Sequence, residues 1–152
     1  MQKKILKRFG LENVVHVRTP MATNTKLGID PSGQLVDISL YRSMIGCLLY
    51  LTASHPDISF SVGVCARFQA NPKMSHLTIV KRIIKYVSGT SDFGLFYSQG
   101  SNVSLAGYSD TDWVGNADNR KSTIGGCFYV GTNLVAWMSK KQNSISLSIV
   151  EA

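Results

Sequence analysis

Up to about residue 90 the apolar positions recur at helical spacing, and beyond it they shorten into strand-like runs. The opening "MQKKILKRF" places Met1, Ile5 and Phe9 on one face among lysines and stops at Gly10, a helix C-terminal signal. From Val14 to Asp37 the period is lost, and Pro20 and Pro31 predict a long irregular connection. Three helical segments follow. In "SLYRSMIGCLLYLTASHP" the stripe is Tyr41, Met44, Ile45, Leu48 and Leu49. In "PDISFSVGVCARFQANP" Asp57 is the expected N-cap, and Ile58, Val62, Cys65 and Phe68 or Gln69 follow the period. In "SHLTIVKRIIKYVSGT" Ser75 is the expected cap, Leu77, Val80, Ile83, Ile84 and Val87 form the stripe, and Gly89 ends it.

After Gly89, "FGLFYS", "SLAGYSD", "GCFYVG" and "LVAWMS" read as short strands rich in aromatic and β-branched residues. The change of pattern places a domain boundary near residues 99–103, giving regions 1–100 and 101–152. The final "SISLSIVEA" resembles the start of a helix capped by Ser146 or Ser148.

A length of 152 residues and 44% hydrophobic content suit a globular chain. No apolar run reaches the length of a membrane span, and the N-terminus lacks the apolar core of a secretory signal, so a soluble intracellular protein is expected. Cys47, Cys65 and Cys127 are widely separated and odd in number, which points to core thiols rather than disulfides or zinc. His16, His55 and His76 are scattered and do not suggest a metal cluster. The formal charge of +7 is uneven: residues 1–90 hold twelve Lys or Arg against four Asp or Glu, and residues 91–152 hold four against five. A basic region beside a slightly acidic one suits a surface for phosphates next to a site for a cation, or simply a solvated basic face. On the third helix Lys81, Arg82 and Lys85 project from the polar side and are the candidate phosphate-contacting row.

The candidate chemistry lies in "YSDTDWVG". In a strand, Asp110 and Asp112 share one face, where two carboxylates can bind a divalent cation, although one cation takes about six ligands. Standing alone the pair is weak evidence for a metal, and a solvated strand end turning into "GNADNR" is the favoured reading of these residues. Glu151, in the first turn of the terminal helix, is favoured there by the helix dipole without any function. In "NRKSTIGG", Arg120 and Lys121 with Ser122 and Thr123 offer donors to a phosphate, while a hairpin turn accounts for most of the segment. Lys140 and Lys141 read as a solvated strand end.

The strings "LYRSMIGCLLYLTASHPDISFSVGVCARF", "HLTIVKRIIKYVSGT", "GYSDTDWVG", "RKSTIGGCFYVG" and "LVAWMSKKQNSISLS", in this order, resemble the Pol polyprotein of plant copia-type long-terminal-repeat retrotransposons over nearly the whole chain. The resemblance implies a segment running from the end of the reverse transcriptase, through a thumb-like and connecting region, into the first half of ribonuclease H. It makes Asp110 the first catalytic carboxylate and a ligand for paired magnesium ions, with Asp112 a turn or supporting residue. "SLSIVEA" matches a motif that in the family continues with a further Glu-Tyr, so Glu151 is the weaker catalytic candidate. No Tyr-x-Asp-Asp polymerase motif occurs in these residues.

The expected fold is therefore α+β, a helical thumb- and connection-like region followed by an incomplete ribonuclease H-like α/β unit with about three antiparallel strands. The first strand is expected to lack a partner on one side. The expected function is that of a truncated Pol fragment without independent catalysis, whose parent carries out RNA-directed DNA synthesis and hydrolyses RNA in RNA–DNA hybrids. The alternative is a retained non-catalytic nucleic-acid-binding or interaction module. Magnesium is the parent's cofactor, with no stable binding by this fragment. The expected partners are an RNA–DNA hybrid or other nucleic acid, bound weakly and without sequence preference, and an intact Pol; neither a membrane nor a small-molecule substrate is expected.

Overall fold

The computed structural model describes residues 2–22, 25, 27–100, 103–112 and 121–143. The architecture is α+β: four helices precede a three-stranded antiparallel sheet. The chain divides into two compact units between Phe93 and Gly94.

The first unit is helical. Helix α1 (Gln2–Arg8) ends in a Schellman motif. The Leu11 N–H donates to the Leu6 carbonyl at 3.0 Å and the Gly10 N–H to the Lys7 carbonyl at 3.3 Å, with Gly10 at φ 64°, the left-handed region glycine enters without steric cost. Helix α2 (Ile38–Thr52) is capped by Asp37, whose carboxylate accepts the Leu40 N–H at 2.6 Å. It buries Tyr41, Met44, Ile45, Leu48 and Leu51. Leu49, expected in that stripe, is exposed, because Leu48 and Leu51 complete the inward arc and leave Leu49 on the outer side.

Helix α3 (Ser59–Ala66) is entered through a short 3₁₀ turn, Pro56–Ile58. Asp57 therefore lies inside that turn and does not act as the expected N-cap. Its carboxylate accepts the Tyr86 hydroxyl at 2.7 Å and ties the turn to helix α4 (Met74–Gly89). Helix α4 begins earlier than Ser75, with Lys73 in the cap position; the Ser75 hydroxyl instead donates to Asp30 at 2.6 Å. The expected stripe Leu77, Val80, Ile83, Ile84 and Val87 is buried, joined by His76. Together with Ile58, Val62, Cys65 and Phe68 these residues form one core, and full burial of each large aliphatic side chain contributes roughly 1.5–3 kcal/mol.

The connection between α1 and α2 is irregular as expected, but it follows a path. His16 lies against Gly89, Thr19 meets Arg82, Gly28 meets His76 and Asp30 meets Ser75. Near its end Val36 donates to the Pro72 carbonyl, and Leu35 forms an isolated bridge with Lys73. The segment thus runs antiparallel along α4, and side-chain hydrogen bonds satisfy backbone groups that no helix or sheet supplies.

The second unit contains β1 (Leu105–Asp112), β2 (Thr123–Val130) and β3 (Asn133–Lys141), with β2 in the middle. Strands β2 and β3 are joined through Gly131 and Thr132; Gly131 has φ 60°, the first central position at which a tight hairpin favours glycine. A register shift at Phe128/Tyr129 interrupts the β2–β3 ladder. "FGLFYS", expected as a strand, is irregular at Phe93–Ser98: no described strand pairs with it. Instead the Asn133 side-chain amide takes the place of a ladder partner, accepting from the Ser98 N–H at 2.8 Å and donating to the Ser98 carbonyl at 3.1 Å. The expected terminal helix with Ser146 or Ser148 lies outside the described residues. Among the described residues no helix is long and apolar enough to cross a membrane.

Candidate functional site

Asp110 is held in β1 opposite Gly125 of β2, which is itself opposite Ser139 of β3. Alternation along the strand sets Tyr108 and Asp110 on one face. Glycine at 125 leaves no side chain beside the carboxylate. Asp110 is exposed, and its Oδ1 accepts the N–H of Thr111 at 2.8 Å. Two residues away, Tyr108 meets Tyr129 edge-on, with centroids 5.9 Å apart and ring planes at 82°. The site is an acidic position on an open sheet surface. Among the described residues no three His, Cys, Asp or Glu side chains converge as a metal cluster. One carboxylate supplies at most two of the roughly six oxygen ligands a magnesium ion takes, so the described residues do not by themselves make up a magnesium site. The Asp112 backbone pairs with Thr123 at the end of β1. Glu151 and Arg120 lie outside the described residues, and Lys121 is half-buried just before β2.

The candidate phosphate row on α4 is not uniform. Lys81 is exposed and Lys85 half-buried. Arg82 is engaged within the fold: its Nε donates to the Thr19 carbonyl at 3.1 Å and its NH2 to the Thr19 hydroxyl at 2.9 Å. It anchors the connecting segment. Further exposed cations stand on α1, at Lys3, Lys4 and Lys7, while Arg8 donates to the Ser43 hydroxyl at 2.8 Å. Beside them an apolar cleft of about 330 Å³ is lined by Ile5, Ser43, Gly46, Cys47 and Tyr50.

His76 was legible in the sequence only as one of three scattered histidines. It is fully buried, stacked on Phe68 with ring centroids 4.1 Å apart. Its Nδ1 accepts the Lys73 N–H at 2.9 Å, which leaves Nε2 to carry the proton and donate to the Gly28 carbonyl at 2.8 Å. This is a structural histidine with both ring nitrogens used. Displaced pKa values also belong to packing. Burial, with Cys65 adjoining, pushes the Tyr41 hydroxyl up; that hydroxyl donates to the Cys65 carbonyl at 2.8 Å. Burial pushes the Cys65 thiol up to about 12. The hydrogen bond to Asp57, followed by desolvation, pushes Tyr86 up to about 12.

Comparison with known proteins adds what the geometry leaves open. The chain is 38% identical over 97% of its length to the retrovirus-related Pol polyprotein from transposon RE1 of Arabidopsis thaliana, and 37% identical over the same share to that from transposon RE2. It is also 37% identical over 73% of its length to the secreted RxLR effector protein 161 of Plasmopara viticola, covering 79% of that protein. Over nearly its whole length the chain is similar to transposon Pol sequences. Its Pol relatives are of the copia type, and it spans about a tenth of the length of the RE1 and RE2 polyproteins. The Pol match takes in both the helical unit and the sheet, Asp110 included. No family model matches the chain. No solved structure matches it either.

Proposed function

We propose that the chain corresponds to the stretch of Pol that leads from the end of the reverse transcriptase, through a thumb-like and connecting region, into the first half of ribonuclease H, and that it has no catalysis of its own. The observation that carries this reading is the placement of Asp110, an exposed carboxylate on a strand of an antiparallel sheet, within a chain that matches Pol over 97% of its length. In this reading Asp110 is the first metal-binding carboxylate of the parent site. Two-metal hydrolysis holds its cations about 4 Å apart between shared ligands, an arrangement beyond one carboxylate. The test is incubation of the purified chain with an RNA–DNA hybrid and magnesium: no cleavage above buffer is expected, and cleavage lost in Asp110→Asn would overturn the inactive reading.

A second reading is a nucleic-acid-binding module, favoured by the exposed lysines of α1 and by Lys81 on α4. It requires hybrid binding that weakens steeply with salt, and weakens again in Lys81→Gln combined with Lys85→Gln. Absence of binding at low salt would remove it.

A further inference from the structure

The connecting segment brings to α4 a cation that the helical row lacks. It follows the last turns of the helix: Thr19 accepts from Arg82, and a Cβ at Gly89 would lie 2.9 Å from the His16 Cβ. Between Arg82 and Gly89 the helix rises about 10 Å, and the three steps from His16 to Thr19 span about the same when extended, so this stretch runs straight beside α4. That course sets Arg18, which is exposed, one residue from the anchored Thr19 and beside the turn carrying Lys85. Lys81, also exposed, stands four residues from Lys85 and is its neighbour on the helix surface. The acidic side chains of the helical unit are engaged elsewhere. Asp37 caps α2, Asp30 accepts from Ser75, Asp57 from Tyr86 and Asp92 from Ser91, while Glu12 is exposed ahead of the segment. Among the described residues no carboxylate pairs with Arg18, Lys81, Arg82 or Lys85.

Arg82 is fixed by Thr19 without being neutralised. Its Nε and NH2 donate to a carbonyl and a hydroxyl, both uncharged, and its remaining guanidinium N–H groups are not taken by Thr19. A guanidinium already held in one orientation loses little freedom on meeting a phosphate, whose oxygens its planar fork matches. We propose that Arg18, Lys81, Arg82 and Lys85 form a phosphodiester-binding seam between the connecting segment and α4, in which Arg18 and Arg82 contact the backbone of a nucleic acid and Thr19 positions Arg82. The seam rests on the nucleic-acid reading given above and adds to it a location, a cation outside the helical row and a role for the segment. The exposed lysines of α1 are then peripheral to the contact.

Fluorescence anisotropy of a labelled RNA–DNA hybrid with the full chain, over a salt series, tests the seam. The unaltered chain is expected to bind at low salt. Arg18→Gln is expected to weaken binding about fivefold and to lower the slope of log affinity against log salt by about one, the signature of one lost phosphate contact. Lys7→Gln removes an equal charge from α1 and is expected to change affinity by less than about twofold. Thr19→Val, which deletes the hydroxyl and keeps the carbonyl, is expected to weaken binding about threefold, and Thr19→Ser to bind as the unaltered chain does. Far-UV circular dichroism reports whether each variant folds; should Thr19→Val not fold, Arg18→Gln against Lys7→Gln decides alone. No binding by the unaltered chain at low salt would remove both the seam and the nucleic-acid reading beneath it. Binding that Arg18→Gln affects no more than Lys7→Gln, or that a folded Thr19→Val leaves unchanged, would overturn the seam and leave that reading standing.

Discussion

Leu48 and Leu105 are the same residue in opposite circumstances: Leu48, in α2, is 0% exposed, while Leu105, on β1, is 82% exposed. The contrast holds for the units around them. Every buried hydrophobic residue among those described lies between Ile5 and Val87, whereas the sheet leaves Tyr108, Phe128, Val135 and Met138 exposed. The helical unit is therefore held by burial of apolar area, and the sheet by its backbone ladder and cross-strand pairs, which contribute roughly 0.2–1 kcal/mol each. A three-stranded sheet needs an apolar face covered to stand alone. Secondary structure of similar regularity can thus carry very different stability.

The contrast can be probed separately in each unit, because both tryptophans, Trp113 and Trp137, belong to the second unit. Tryptophan fluorescence follows the sheet unit, and the helical band of circular dichroism follows the first. The largest effect is expected from alkali. Cys65, raised from 9.0 to about 12, holds its proton more tightly folded than unfolded, which ties on the order of 4 kcal/mol to that proton. The stabilisation is complete below pH 9.0 and disappears as the pH rises towards about 12; Tyr86, raised from 10.0 to about 12, acts in the same direction. Denaturant midpoints of the helical signal should fall across that window, and a flat profile would refute the buried thiol.

Next in size, Leu48→Ala should cost about 3 kcal/mol of the helical transition by leaving a cavity in the core. His76→Ala should cost about 2 kcal/mol, since it removes the stack on Phe68 and leaves the Lys73 N–H and Gly28 carbonyl without their partner. Asp37→Ala, which deletes the cap of α2, should cost about 1 kcal/mol in the same measurement. The smallest change belongs to the sheet: Leu105→Ser should shift the fluorescence transition by no more than about 0.5 kcal/mol. A loss as large as that of Leu48→Ala would mean that Leu105 is covered, and would end the comparison.

The helices were legible because their stripes have a local period that burial then uses; four of the five residues expected in α2 and all five in α4 are in the core. Their starts were less so. Ser75 has the chemistry of a cap, but Asp30, 45 residues away in sequence, takes its hydroxyl, and Tyr86 takes the carboxylate of Asp57. No local rule anticipates a distant partner. The segment "FGLFYS" shows the same limit for strands, whose identity depends on a neighbour that composition cannot supply. Of the candidate site, alternation placed Asp110 on one face of a strand with Tyr108, but its exposure did not follow from that, since Ser109 on the other face is exposed too, and the role proposed for it rests on the resemblance to Pol. The reading of Lys81, Arg82 and Lys85 as equals failed to anticipate that Arg82 is committed to Thr19.

The path of the connecting segment along α4 also bears on the order in which the unit assembles. Its ties join residues separated by 45 positions (Ser75 and Asp30), 48 (His76 and Gly28) and 63 (Arg82 and Thr19), and each draws on a side chain that α4 must already present. Such contacts close long loops and belong after the helix and its local packing have formed. Weakening them should leave the refolding rate nearly unchanged and speed unfolding, so the segment acts as a latch on the lifetime of the native state rather than as a guide to reaching it.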